Sequence, residues 1–531
     1  MKRLFAGITT VIAATLTLVS CQEPSLSQED VLMAMDSLET KLEWLEYRLP
    51  LEQWSLESTG RTDSLELYTE LFQEVLSRNS LRDLLTKGEN LLTDEVDRRR
   101  HNLLLRTLLW HQVEGSPAVR ALRDSIIGPG RDRSRRPVGT MRAAYLFDGL
   151  WSANASQTLR EQSFVAHFAS LENLAAGVGQ MIRGRNQAAR RLGYSNFLSV
   201  AFGADNIKAE DMLQFVARLE TATDAAYASL LDELERRESV GTLELWDVSV
   251  SYTSLLTQIS GRLNSETTLP IVAATLDAAG FGLDTLPLYY DLQPAKGDRS
   301  GAQSFLISPG REARILLRDG GGLPAIQNAL AVTAGALSFL GRDETNIPLF
   351  ARYTDHAWEE GMAALFGTLV GDSTWLVAEG ELPAQDAARL HRLAAEQNLL
   401  ALRLALTDFM FEYEAYKNPQ RDLDRLYWDL FERYVKLPRH DGLFVWAGRP
   451  ELITSPFDIR DALLGQIIRS QTLEYFSSRY GTIVNNSELR SFLGQSYFRF
   501  GGRYPWPQLL EHGTGQPLKA DFLANAIVTA L

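Results

Sequence analysis

Apolar residues recur every three to four positions through Val31, Met35, Leu38, Leu42 and Leu45, a spacing that predicts a helix opening near residue 28 with Ser27 as its N-cap. The same periodicity predicts helices over 65–76, 98–110, 157–192, 209–237, 386–411 and 423–434. Between 286 and 322 the pattern changes. There Pro and Gly punctuate two short segments, 303–307 and 313–317, that alternate or run apolar and predict a small hairpin. Helical character returns over 323–340. No repeat period suggests a solenoid, and no tract is of low complexity. The predicted fold class is mainly α, a large helical body with one small β-sheet near its middle.

The first residues change the picture of where such a body works. Lys2 and Arg3 precede an apolar run that ends in Leu18-Val19-Ser20-Cys21, which fits a lipobox, with 1–20 as signal peptide and 21–27 as a lipidated tether. The run is short of the ~20 apolar residues that span a bilayer. Cys21 is the one cysteine in the chain, so its acylation leaves no thiol for a disulfide, a metal site or a nucleophile. The expected location is the bacterial cell envelope, anchored to a membrane and facing the periplasm, with Gln22 at the next position favouring the outer membrane. The remaining chain of about 510 residues exceeds one simple domain, so two lobes are expected, and along the chain an N-terminal helical region over 28–162 precedes a peptidase-like helical body over 163–531. Net charge is −14, and −16 once Lys2 and Arg3 are discounted, so nucleic acid is a poor partner. The basic cluster Arg131, Arg133, Arg135 and Arg136 reads as a solvated loop.

Three segments carry a resemblance to a family. Arg185-Asn186-Gln187-Ala188-Ala189-Arg190-Arg191-Leu192-Gly193-Tyr194-Ser195-Asn196-Phe197 resembles a helix-and-turn of zinc peptidases of the angiotensin-converting-enzyme and thimet-oligopeptidase type. Tyr290-Asp291-Leu292-Gln293-Pro294-Ala295-Lys296-Gly297-Asp298 is similar to a strand entry in those enzymes, and Arg503-Tyr504-Pro505-Trp506-Pro507-Gln508-Leu509-Leu510, followed by Thr514-Gly515, to the C-terminal ending of bacterial converting-enzyme relatives. The order of the three is what carries the likeness, which runs from about Ser163 to the end. It implies a two-lobed helical, peptidyl-dipeptidase-like fold with a central cleft.

That resemblance also implies a His-Glu-x-x-His helix, two imidazoles four residues apart on one face binding zinc, and a Glu from a second helix as third ligand. The seven histidines are His101, His111, His167, His356, His391, His440 and His512, and no two are four apart. Trp358-Glu359-Glu360-Gly361-Met362 is similar to the third-ligand segment and makes Glu360 a relic ligand. Counting back by the family's spacing lands on Val332-Thr333-Ala334-Gly335-Ala336, where Val332 and Ala336 have no lone pair for a metal and Thr333 cannot act as a carboxylate base. The same five residues also read simply as a helix face packed in a core. Glu359 and Glu360 likewise read as carboxylates at a helix start capped by Thr354 or Asp355. The family's oxyanion-stabilising His and Tyr are expected in the stretch from Ile453 to Asp461, yet neither residue type occurs from Ala447 to Glu474.

These residues together predict a membrane-anchored, catalytically inactive peptidase-like lipoprotein that binds a peptide or an envelope protein in its cleft. The resemblance implies an edge strand that pairs with peptide backbone, which makes Gln303, Phe305 and Ile307 the peptide-binding candidates. No cofactor is expected under that reading. One alternative is an active metallopeptidase in which His356 and Glu360, four apart, hold zinc with a further carboxylate such as Asp355. Another is a scaffolding envelope lipoprotein that uses the outside of the shell.

Overall fold

The computed structural model describes residues 26–127, 138–141, 155–203, 206–260, 263, 265–294, 301–343 and 345–531; Cys21 and the Arg131–Arg136 cluster lie outside them. The first half is helical: α1 (Gln28–Thr59), α2 (Leu65–Leu76), α3 (Asn79–Gly88), α4 (Glu95–Glu114), α5 (Pro117–Ile127), α6 (Gln157–Ala169), α7 (Glu172–Arg191), α8 (Phe197–Gly203), α9 (Ala209–Glu238), α10 (Val250–Ser260) and α11 (Ser265–Ala278). A sheet of β1 (Leu288–Pro294), β2 (Gly301–Ser308) and β3 (Glu312–Asp319) follows. Helices then resume with α12 (Gly322–Leu340), α13 (Pro348–Arg352), α14 (His356–Gly367), α15 (Ser373–Ala378), α16 (Ala384–Lys417), α17 (Leu423–Tyr434), α18 (Glu451–Thr454), α19 (Asp458–Tyr480), α20 (Glu488–Ser496), α21 (Trp506–Thr514) and α22 (Asp521–Ala530).

Ser27 caps α1 through a reciprocal capping box: its hydroxyl accepts from the Asp30 amide at 3.2 Å, and the Asp30 carboxylate accepts from the Ser27 amide at 2.9 Å. The predicted stripe Val31, Met35, Leu38, Leu42 and Leu45 is buried against Val75, Leu85, Leu104 and Leu108 of α2, α3 and α4, a small core of its own. Beyond Pro50 the helix serves a second purpose, because Leu51 and Trp54 pack on Phe305, Ile307 and Leu316 of the sheet.

The expected single helix over 157–192 is two, α6 and α7. Its break follows from the Phe168 carbonyl, which accepts from Leu171 at 3.3 Å and from the distant Phe444 amide at 3.2 Å and so turns the chain. The domain boundary placed at 162 falls inside α6, and Leu109, Val113 and Val119 of the N-terminal region already belong to the main core.

The hairpin is present as β2 and β3, paired antiparallel with an irregularity between Leu306 and Ser308. A third strand, β1, pairs parallel to β3, so the order is β1-β3-β2 and β2 lies at one edge. Alternation along the strands sends Ala313 and Ile315 toward α12 and Leu316 toward α1, so both faces of the sheet are covered. α12 has no charged residue and is apolar and long enough to cross a membrane, yet most of it is buried inside the protein. α14 and α19 cross at Gly361 and Gly465; a Cβ on Gly465 would stand 2.6 Å from that of Glu360, so this approach needs glycine.

Candidate functional site

On α12, Val332 and Ala336 point at the sheet and pack with Ala313 and Ile315 and the partly buried Leu288, Tyr290, Ala302, Leu306 and Leu340. Thr333 is fully buried and donates to the Ala329 carbonyl at 2.7 Å. Having spent its one proton there, it accepts from the Tyr290 hydroxyl at 2.9 Å. Burial pushes the Tyr290 phenol up to about 12, although the Thr333 bond pulls the other way. Gly335 differs from its neighbours: it is only partly buried, and a Cβ there would meet nothing within 4 Å.

α14 runs alongside α12, with Gly367 at its end close to Ala331 and with Thr354, just before its start, bonded to Arg342. Asp355 stands at its N-cap but makes no side-chain capping bond. Its carboxylate is held instead by Arg106 at 2.5 Å, the Tyr353 hydroxyl at 3.0 Å, Asn206 at 3.0 Å and Arg99 at 3.8 Å. The expected cap from Thr354 is also absent, because its hydroxyl accepts from Arg342. His356 has a side chain that is 79% exposed and pairs with Glu359 at 3.4 Å. The hydrogen bond to Glu359 and the charge behind it hold the imidazole up at about 9. Glu360 points inward and accepts the buried Gly139 amide at 2.7 Å.

His356, Glu360 and Asp355 therefore do not converge. Among the described residues no three His, Cys, Asp or Glu side chains gather closely enough to hold a metal ion. Among the described residues zinc does not fit the implied positions: Val332 and Ala336 are apolar and turned to the sheet, which leaves Glu360 alone where a catalytic zinc takes three protein ligands.

The residues that carry the family resemblance do structural work elsewhere. Arg185 is 0% exposed and holds Glu114 through Nε at 2.6 Å and Nη2 at 3.1 Å, the Tyr416 hydroxyl at 3.1 Å, and the carbonyls of Leu452 at 2.5 Å and Ile453 at 2.6 Å. Burial opposes its charge, but Glu114 and Tyr416 outweigh it and keep the guanidinium ionised. Asn186 bridges the Tyr416 carbonyl and the Phe197 amide, both at 2.8 Å. Trp506 is buried, and Thr514 accepts from Gln471 at 3.1 Å.

Phe457, in the stretch where the resemblance implies oxyanion donors, is fully buried at φ 65°, with its ring among Phe197, Phe202 and Tyr416. That left-handed backbone is unfavourable for a bulky residue. It is held by Glu412, whose carboxylate accepts the Phe457 amide at 2.9 Å. Burial raises Glu412 to about 7, against the pull of Arg449 3.7 Å from its second oxygen.

Of the peptide candidates, Phe305 and Ile307 lie buried under α1, with Trp54 edge-on to Phe305 at 5.3 Å, so they present no side chain to a ligand. Gln303 is exposed. What β2 keeps for a peptide is its outer backbone edge, where Arg352 already donates to the Ile307 carbonyl at 3.3 Å. The reading of the sequence missed Gly139, Gln466, Glu114 and Glu412. All four act across long stretches of chain and belong to no local pattern.

No protein-family profile matches the chain, and no curated protein does. Solved structures do. The M32 carboxypeptidase from Deinococcus radiodurans R1 superposes with a TM-score of 0.63 at 15% identity, over 94% of this chain and 100% of that one. Trypanosoma cruzi metallocarboxypeptidase 1 superposes with a TM-score of 0.64 at 12% identity, over 94% of this chain and 99% of that one. Both are carboxypeptidases by name, whereas the motifs pointed to the converting-enzyme and oligopeptidase type. With its helical body, its three-stranded sheet and this near end-to-end coverage, the protein has the helical peptidase fold of the M32 carboxypeptidases.

Proposed function

We propose that the chain is a degenerate relative of the zinc peptidases that binds a peptide or an envelope protein without cleaving it. In this reading acylated Cys21 tethers it to a membrane of the bacterial envelope, on the periplasmic side and by preference on the outer membrane. The observation that carries the reading is the packing of Val332 and Ala336 against the sheet while Glu360 is bonded to the Gly139 amide. A hydrolytic site needs an activated water, and Val332 and Ala336 offer no metal ligand and Thr333 no base to make one. Peptide binding needs less, because an exposed strand edge supplies main-chain bonds without a metal. The outer edge of β2, with Gln303 exposed beside it, is the surface proposed for that strand addition.

The test uses the protein extracted from membranes in detergent. Zinc content is measured after equilibration with the metal, and hydrolysis of a mixed peptide library is followed alongside peptide binding. The expected result is binding without turnover, with zinc well below one per chain and unchanged in His356→Ala. Stoichiometric zinc with cleavage, both lost in Glu360→Ala, would overturn the proposal. Cys21→Ser is expected to release the chain from the membrane fraction, and its retention there would remove the anchor from the reading.

A further inference from the structure

Glu360 and Gln466 bracket one residue of the chain's own backbone. The Gly139 amide donates to Glu360 at 2.7 Å, and the Gly139 carbonyl accepts from the Gln466 carboxamide at 2.8 Å, both bonds buried. The two side chains come from α14 and α19 at the level of the Gly361 and Gly465 crossing. Gly139 has φ +77°, and a Cβ there would stand 2.6 Å from the Ala363 carbonyl carbon and the Ala364 nitrogen, so glycine alone fits. Two residues on, Met141 is buried in the main core and anchors the segment from that side. A carboxylate acceptor and a carboxamide donor set around one N–H and one C=O are the partners a peptide meets in a backbone-binding site.

We infer that Glu360 and Gln466 form a backbone clamp whose occupant is the chain's own Val138–Met141 segment, seated as a strap on the α14–α19 crossing. The position that the family resemblance gives to a third metal ligand thus holds an amide. This clamp does not depend on whether any external peptide binds, since it concerns a contact within the folded chain. The geometry commits the Oε2 of Glu360 to the strap.

Hydrogen exchange of the full-length protein, read by mass spectrometry on a peptide spanning 138–141, tests the clamp. Exchange there is expected to be slow in the wild type. It should quicken on the order of tenfold to a hundredfold in Glu360→Ala, the span expected when a buried charge-assisted bond is removed. Glu360→Gln keeps an acceptor oxygen and is expected to recover most of the protection. Gly139→Ala approaches from the other side, because its methyl group meets the Ala363 backbone and expels the strap while leaving Glu360 intact. Should Glu360→Ala not fold, Gln466→Ala and Gly139→Ala supply the same reading. Exchange over 138–141 as slow in the folded variants as in the wild type would overturn the inference. A wild type that binds peptide with the strap still protected leaves the clamp standing and bears only on the proposed function.

Discussion

Two junctions in this molecule treat polar chemistry in opposite ways. At the Arg185 hub, α4, α7, α16 and the chain around α18 meet over buried charges, and Arg185 finds a carboxylate, a hydroxyl and two carbonyls. At the seam between α12 and the sheet, the positions to which the family resemblance gives imidazoles hold Val332 and Ala336, and the single polar group between them, Thr333, is satisfied locally. Both sites lie in the interior, so burial alone does not explain the difference. A buried charge persists where removing it would strand its partners. A metal-ligand set has no such protection, because apolar side chains can close over its place with the fold intact. The motifs that announce the fold are therefore the ones the fold needs.

The hub should give the largest effect. Arg185→Ala is expected to cost about 3–5 kcal/mol, since Glu114 loses its buried partner and two carbonyls lose their donor. Urea unfolding monitored by circular dichroism measures it. Arg185→Lys keeps the charge but not the fork, and is expected to recover less than half of the loss. A cost below about 1 kcal/mol for the alanine variant would erase the contrast between the two regions.

Next comes the acid that supports the hub from inside. Glu412 is raised to about 7 from an ordinary 4.5, so the folded state holds its proton more tightly than the unfolded state does. Its contribution to stability is complete below pH 4.5 and is lost as pH rises to about 7. The shift corresponds to about 3 kcal/mol over that window. Glu412→Gln is expected to flatten the decline of thermal stability across the window while still accepting the Phe457 amide. Glu46, also raised to about 7 by burial, leaves a residual slope in both proteins.

How much of this was legible depends on the range of the forces involved. Helices over 65–76 and 423–434 appear at the predicted bounds because their apolar periodicity is local, and Asp422 caps the second through the Arg425 amide at 3.1 Å. Ser27 was readable for the same reason. The break at Ser170 was not, because the Phe444 amide that diverts the Phe168 carbonyl comes from a remote part of the chain. β1 escaped the hairpin prediction because its partner β3 is not its neighbour in sequence. Asp355 was read as a helix cap from its place before α14, and tertiary donors outcompete that local role. At the site, the missing donors at Val332 and Ala336 could be read directly. Glu360's actual partner could not, since nothing around Gly139 signals which carboxylate will receive its amide.

The seam should respond weakly but specifically. Thr333→Val leaves the Tyr290 hydroxyl without its acceptor in a buried setting, and a cost of about 1–2 kcal/mol is expected. Tyr290→Phe added to it should be less than additive, because the double variant removes both halves of one bond. Additive losses in that cycle would show that the two hydroxyls do not work as a pair.

The smallest effect is the sharpest test of the contrast. Gly335 is the sole residue of the implied zinc motif that matches the family, yet it makes no close approach that glycine alone permits, and its backbone is not left-handed. If packing were the whole account of α12, Gly335→Ala should stabilise the protein by about 0.5–1 kcal/mol through helix propensity, with no other consequence. If the space beside Gly335 still receives a ligand, the same methyl group should weaken peptide binding while raising the melting temperature. Measuring both on one variant separates the two outcomes, because a purely structural glycine cannot move them in opposite directions. Stabilisation with binding unchanged would place the α12 face among the packing surfaces and leave the β2 edge as the proposed peptide site.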